Sequence, residues 1–181
     1  METVAGNTDA TSHSSQHRHP ALTVTMLIVF LLVPLLVGFV GSLLTADQVD
    51  GWYASANQAP WTPPNAVFGP VWTALYLTMG FATWLVWLRP ASSGRRTALA
   101  WFIIQLALNA VWSPTFFGGY PLLGAAALWL SFAIIVALLV GLVMTIRSFW
   151  NVRTLAAVLF LPYLLWVTYA STLNLYMAIF N

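Results

Sequence analysis

The chain has 181 residues, of which 60% are hydrophobic and only 6% charged, with a mean hydropathy of +0.83. A soluble surface needs about a quarter charged residues, so this composition excludes a soluble globular protein and specifies an integral membrane protein. Six arginines against four acids are too sparse a set for a nucleic-acid surface, and the lack of cysteine removes thiolate catalysis, disulfides and cysteine-based metal or haem attachment together.

Residues 1–20 are polar, rich in Ser, Thr and His, and read as a disordered tail. His13 and His17 would share a face if helical and, with His19, could bind a transition metal only loosely, so a solvated tail without a metal site is the preferred reading. From 21 to 44 the chain is continuously apolar, longer than the ~7–15-residue core of a cleaved signal peptide. It is therefore expected to stay as a membrane anchor, kinked at Pro34. Gly38 and Ser42, one turn apart, are expected to let a neighbouring helix approach closely.

Four more apolar segments, 67–88, 97–117, 122–146 and 154–180, are each long enough to cross the ~30 Å hydrocarbon layer at ~1.5 Å per residue. The prediction is an all-α membrane protein, a bundle of five transmembrane helices. Connection 45–66 holds Asp47 and Asp50 and no basic residue, whereas 89–96 holds three arginines, 118–121 none and 147–153 two. With Arg18 in the tail, arginines alternate between the two sides, and the positive-inside rule puts the N-terminus in the cytoplasm and Asn181 outside. Loop 45–66 then lies as a lid over the outer helix ends.

That loop enters the second helix through Trp61-Thr-Pro-Pro64 and Asn65. Pro63 and Pro64 stiffen the approach and are expected to restrain ligand release, and Gly69-Pro70 fits the opening turn of the helix. Trp72 and Tyr76 then project from one face. In the third helix Gln105, Asn109, Trp112 and Phe116 form a stripe at i, i+4, i+7 and i+11, with a bend expected at Pro114; in the fifth, Tyr163, Trp166, Tyr169 with Ala170, and Asn174 repeat that spacing. These three stripes overlap in the outer half of the membrane. The amides of Gln105, Asn109 and Asn174 are costly against lipid and should face the bundle interior, bonded to one another, to backbone or to a ligand. At this level the aromatic stripes fit either packing and interfacial anchoring or the walls of a site for a flat apolar ligand. The fourth helix offers Ala133, Ala137 and Gly141, a small-residue stripe expected to seat a neighbour within the bundle in preference to a second protomer. Trp87, Trp101 and Trp150, near helix ends, read as interfacial anchors.

The run Trp61-Thr-Pro-Pro64 with Phe68-Gly-Pro-Val-Trp-Thr-Ala-Leu-Tyr76, then Leu108-Asn-Ala-Val-Trp-Ser-Pro-Thr-Phe-Phe-Gly118, then Pro162-Tyr-Leu-Leu-Trp166 and Leu173-Asn174, resembles the TspO/MBR family of tryptophan-rich sensory proteins. Eukaryotic relatives are called translocator proteins or peripheral-type benzodiazepine receptors. The resemblance, over about residues 21–181, implies a five-helix bundle, often a homodimer, whose pocket under the first loop binds porphyrins such as protoporphyrin IX and haem, and in some members sterols. On it, Trp72 and Trp166 match the pocket tryptophans linked to porphyrin breakdown, and Asn109 matches the pocket amide. Trp52, Trp61, Pro63, Pro64 and Asn65 match the lid, and Tyr76, Trp112, Phe116 and Tyr169 lie on or near the walls. The sterol pattern of animal members needs a basic residue after a C-terminal tyrosine; here Tyr176 is followed by Met-Ala-Ile-Phe-Asn, which weighs against sterol recognition.

Three function classes follow. A tetrapyrrole-binding receptor, sensor or carrier that needs no cofactor is the leading reading. An enzyme would use Trp72 and Trp166 in light- and oxygen-dependent porphyrin degradation, since the spans offer no nucleophile–base pair, carboxylate or metal set. An ion-coupled transporter is opposed by the placement of every Asp, Glu and Arg in a tail or connection. The absence of an Arg-rich amphipathic presequence favours a bacterial plasma membrane over a mitochondrion.

Overall fold

The computed structural model describes residues 19–181, all of them in helices or the connections between helices. Helix α1 (Pro20–Gln48) continues into a π-helical turn, Val49–Tyr53; α2 spans Asn65–Trp87; α3 (Ser93–Ser113) passes into a second π-helical turn, Pro114–Gly118. A short α4 (Tyr120–Leu123) leads to α5 (Ala125–Trp150), and the last span is divided into α6 (Thr154–Leu159) and α7 (Leu161–Phe180). Five segments are long and apolar enough to cross a membrane: Pro20–Tyr53, Asn65–Trp87, Ser93–Gly118, Ala125–Trp150 and Thr154–Phe180. Lipid offers no hydrogen bonds to backbone, so spans of this composition are driven to satisfy every amide within a helix. The protein is a five-span helical membrane bundle. The tail, with His13, His17 and Arg18, lies outside the described residues; His19 is exposed just before α1.

Several boundaries differ from the sequence expectation, each for a local reason. The first helix does not stop at residue 44, because nothing in 45–48 breaks it and Thr45 Oγ1 bonds back to Gly41 O at 2.9 Å. The first residue to leave helical geometry is Gly51 (φ −88°, ψ −116°), so the irregular part of loop 45–66 shrinks to its later half. Helix α2 begins at Asn65, ahead of the predicted Gly69-Pro70 turn; Pro70 therefore lies inside it, where the missing N–H leaves only the exposed Ala66 carbonyl without its bond. At Pro114 the third span changes to a π-turn closed by Gly119 N–H to Pro114 O at 3.0 Å. Gly124, the one described residue with positive φ (56°), breaks the chain between α4 and α5, and Pro162 interrupts the fifth span at Phe160.

Around the bundle, α1 packs on α2 and α3, α3 on α5, α5 on α6 and α7, and α2 on α6. The central core holds Met79, Val86, Leu138, Leu142, Phe149, Phe160 and Tyr163, all within 1% of full burial. The α1–α2 contact has a backbone origin. Pro34 has no N–H to give to the carbonyl of Phe30, and Gly80 packs directly on that oxygen; a Cβ at Gly80 would overlap it. Nearby, Trp84 donates its indole N–H to Thr23 O at 3.2 Å. Gly38 does admit a close approach, of the Tyr76 ring, while Ser42 is exposed. The stripe on α5 divides. Gly141 is buried against Gln105, but Ala133 and Ala137 face outward, because the inward arc of α5 is taken by Leu128, Ser131, Ile135, Leu138 and Leu142. Trp150 is 53% exposed at its helix end, as an interfacial anchor would be.

Candidate ligand-binding cavity

A cavity of about 640 Å³ occupies the half of the bundle nearer residues 54–64, hereafter the loop end; the opposite end, bearing the described arginines, is the arginine end. Its volume lies within the ~300–1,000 Å³ of small-molecule sites. From α2 it takes Asn65, Trp72 and Tyr76, from α3 Asn109 and Trp112, from the π-turn Phe116, and from α7 Trp166 and Asn174. Apart from Asn65, which was expected in the lid, these residues come from all three sequence stripes. The remaining sequence candidates stand elsewhere: Trp61, Pro63, Pro64, Gln105 and Tyr169 do not line it.

Two amides organise the polar part of the wall. Tyr76 donates its hydroxyl to Asn109 Oδ1 at 2.8 Å, and Asn109 Nδ2 donates to the Tyr163 hydroxyl at 2.9 Å, so one side chain fixes two buried phenols from different helices. One turn farther along, Trp112 Nε1 donates to Asn174 Oδ1 at 3.0 Å, and Asn174 Nδ2 donates to Leu128 O at 3.0 Å. Buried in hydrocarbon, such paired amides cross-link helices and hold the rings they touch. Trp72 stacks on Tyr76 (5.4 Å, 27°) and meets Tyr163 edge-on (5.9 Å, 68°), so Asn109 also sets the plane of Trp72. Trp112 stacks on Phe116 (5.5 Å, 20°). Trp166 lies between Phe68 (5.8 Å, 71°) and Tyr169 (5.6 Å, 47°), and its buried indole N–H has no acceptor among the described residues.

Gln105 is fully buried, one turn from Asn109 toward the arginine end, and neither its Oε1 nor its Nε2 has a hydrogen-bond partner among the described residues. The periodicity that put it on the stripe is obeyed, but it packs against Gly141 and does not reach the cavity wall.

The loop is fastened to the side of α7. Tyr169 donates its hydroxyl to Trp61 O at 2.6 Å, Trp61 Nε1 donates to Thr172 Oγ1 at 3.2 Å, and the Trp61 ring meets Tyr176 edge-on at 5.5 Å. Asn181 pairs with the Asn57 backbone through both its oxygen (2.8 Å) and its nitrogen (3.1 Å). At the start of the loop Trp52 donates to Phe117 O at 2.8 Å and stacks on Tyr120 at 4.0 Å, which sets Tyr53 against the cavity roof.

Sequence reasoning missed the face of α1. Leu32, Leu35, Leu36, Phe39 and Thr45 line the cavity, yet α1 carries no polar or aromatic stripe to mark them. Only the Gly38 and Ser42 spacing signalled that this helix has an inward face, and both residues line the cavity. Only 6% of the most apolar stretch of the first span is buried, against 28–39% in the other four. Leu32, Leu36 and Phe39 of α1, and Asn65, Gly69 and Thr73 of α2, both line the cavity and are exposed, so the wall is open sideways between these two helices. The walls are largely apolar and aromatic, and among the described residues no group of three His, Cys, Asp or Glu could hold a metal ion.

A sequence model of the TspO/MBR family matches residues 30–180. A protein named tryptophan-rich protein TspO from Archaeoglobus fulgidus is 36% identical over 161 residues, 88% of this chain and 99% of that protein. The human translocator protein is 37% identical over 149 residues, 80% of this chain and 83% of its own length. The tryptophan-rich sensory protein of Cereibacter sphaeroides is 38% identical over 134 residues, 74% and 77% of the two chains. The match extends across all five spans, and the aromatic and amide motifs of α2, α3 and α7 converge on one cavity: this chain belongs to the TspO/MBR family.

Proposed function

We propose that this protein is a membrane receptor, sensor or carrier for tetrapyrroles, binding a porphyrin such as protoporphyrin IX or haem in the cavity between α1, α2, α3 and α7. The observation that carries the reading is the convergence of Trp72, Tyr76, Trp112, Phe116 and Trp166 on a cavity of about 640 Å³ whose wall also carries two internally bonded amides, Asn109 and Asn174. Aromatic faces favour a planar conjugated ligand, and the Trp166 N–H and the Asn65 amide leave polar groups on the wall for its carboxylates. By the positive-inside rule the arginine end lies in the cytoplasm and the loop end outside, in a bacterial plasma membrane.

A second reading, light- and oxygen-dependent porphyrin degradation, is favoured by the presence of both Trp72 and Trp166 on the cavity wall. One experiment separates the two. Purified protein is titrated with protoporphyrin IX in the dark, following tryptophan quenching, and the porphyrin spectrum is then followed under light in air. Saturable quenching with a stable spectrum is the expected result. Protein-dependent bleaching that disappears in Trp72→Phe or Trp166→Phe would establish the enzyme, and quenching that never saturates would remove the porphyrin reading altogether.

A further inference from the structure

The arginine end contains a feature that the cavity does not use. Its two connections, between α2 and α3 and between α5 and α6, are packed together: Arg89 donates from Nε to Val152 O at 3.3 Å, and Gly94 lies against the Val152 side chain. Arg95 turns back across the first connection, donating from Nη1 to Arg89 O at 2.7 Å and to Trp87 O at 3.3 Å. Arg89 and Arg95 therefore shape this surface. Arg96, Arg147 and Arg153 belong to the same surface, yet their guanidiniums make no hydrogen bond to any described residue. The acidic side chains among the described residues, Asp47 and Asp50, are at the opposite end. Arg96, Arg147 and Arg153 thus bring three positive charges to this surface with no carboxylate among the described residues hydrogen-bonded to them.

We propose that Arg96, Arg147 and Arg153 form a binding site for the phosphate headgroup of anionic phospholipids in the leaflet at the arginine end. Two observations favour a lipid over a soluble anion. The connections are short, since α2 ends at Trp87 and α3 begins at Ser93, while α5 ends at Trp150 and α6 begins at Thr154. Chain this short does not reach beyond the headgroup layer, so the guanidiniums sit at the depth of lipid phosphates. Trp150, 53% exposed and three residues from both Arg147 and Arg153, adds the amphipathic ring typical of that depth. Guanidinium forks also match phosphate oxygens in pairs, which a single lipid phosphate can satisfy from two side chains. Basic clusters at the membrane surface gain about five-fold in anionic-lipid preference for each arginine engaged.

The test uses the full chain in mixed micelles holding equal amounts of phosphatidylglycerol and phosphatidylcholine with identical acyl chains, with retained lipid counted by native mass spectrometry. Phosphatidylglycerol should be retained at least about five-fold over phosphatidylcholine, and the triple variant Arg96→Gln, Arg147→Gln, Arg153→Gln should abolish that preference. The triple lysine variant, which keeps charge but loses the fork, should show an intermediate preference and guards against a mere folding defect in the glutamine variant. Equal retention of the two lipids by the unmodified chain would overturn the proposal, as would an unchanged preference in the glutamine variant. Displacement of the lipid by glycerol phosphate at equal concentration would also overturn it, showing that the arginines take a soluble phosphate.

Discussion

Asn109 holds two phenols from two other helices, and its removal cannot be local. Asn109→Ala leaves the Tyr76 and Tyr163 hydroxyls without partners, at a cost of about 1–3 kcal/mol for each buried hydroxyl that finds no replacement. Thermal unfolding in detergent should show the loss, and porphyrin affinity should fall because the Tyr76–Trp72 stack loses its plane, although the cavity keeps its apolar walls. Trp166 predicts the contrary behaviour. Its N–H is already without an acceptor, so Trp166→Phe keeps an aromatic wall and sacrifices no hydrogen bond among the described residues, and dark porphyrin affinity should stay within about three-fold. A complete loss of binding in a folded Trp166→Phe protein would show that the indole does more than present a surface. Gln105→Leu should raise the melting temperature, by the equivalent of about 1–3 kcal/mol, because it replaces a buried amide that no described residue satisfies. Spacing alone placed Asn109, Trp112, Asn174 and Trp166 correctly around one space. It could not separate Gln105 from Asn109, since periodicity reports which face a residue occupies and is silent on how far along that face the cavity reaches.

Among the elements, α1 and α2 matter most, and they were the least legible. The hydropathy of α1 announces a span, but a helix that is apolar all round does not say which side faces protein. The contact that places it, Gly80 on the Phe30 carbonyl freed by Pro34, joins positions fifty residues apart whose relation exists only once the helices pack. Gly80→Ala puts a methyl group into that carbonyl and should destabilise the bundle by about 1–3 kcal/mol, visible as a lower unfolding temperature. Gly69 is the reverse case. It lines the cavity, and a Cβ there meets nothing within 4 Å, so Gly69→Leu should fold normally while narrowing the sideways opening between α1 and α2. Stopped-flow quenching should then show slower porphyrin association and release. Tyr169→Phe, which removes one of the ties between the loop and α7, should leave both rates unchanged; faster release in that variant would support the loop as the gate that its prolines suggest.

For the whole molecule, the number of spans and the alternation of arginines were readable because the bilayer imposes length and polarity on any chain that crosses it. The lack of native cysteine makes the orientation simple to check. Single cysteines at the exposed positions Ser55 and Ala91 should react oppositely with a membrane-impermeant maleimide in intact cells, Ser55→Cys labelled and Ala91→Cys protected until the membrane is opened. The reverse pattern would invert the topology without altering the cavity. The first span is anchored near its beginning by Trp84 and Gly80 and at its end by Trp52, with much of its length between turned toward lipid and cavity. A rod pinned at both ends and loaded from the side bows under pressure. The width of this cavity is therefore set in part by the acyl chains pressing on α1, and the affinity of the site becomes a property of protein and bilayer together: stiffer, more tightly packed lipids should squeeze it and looser ones relax it.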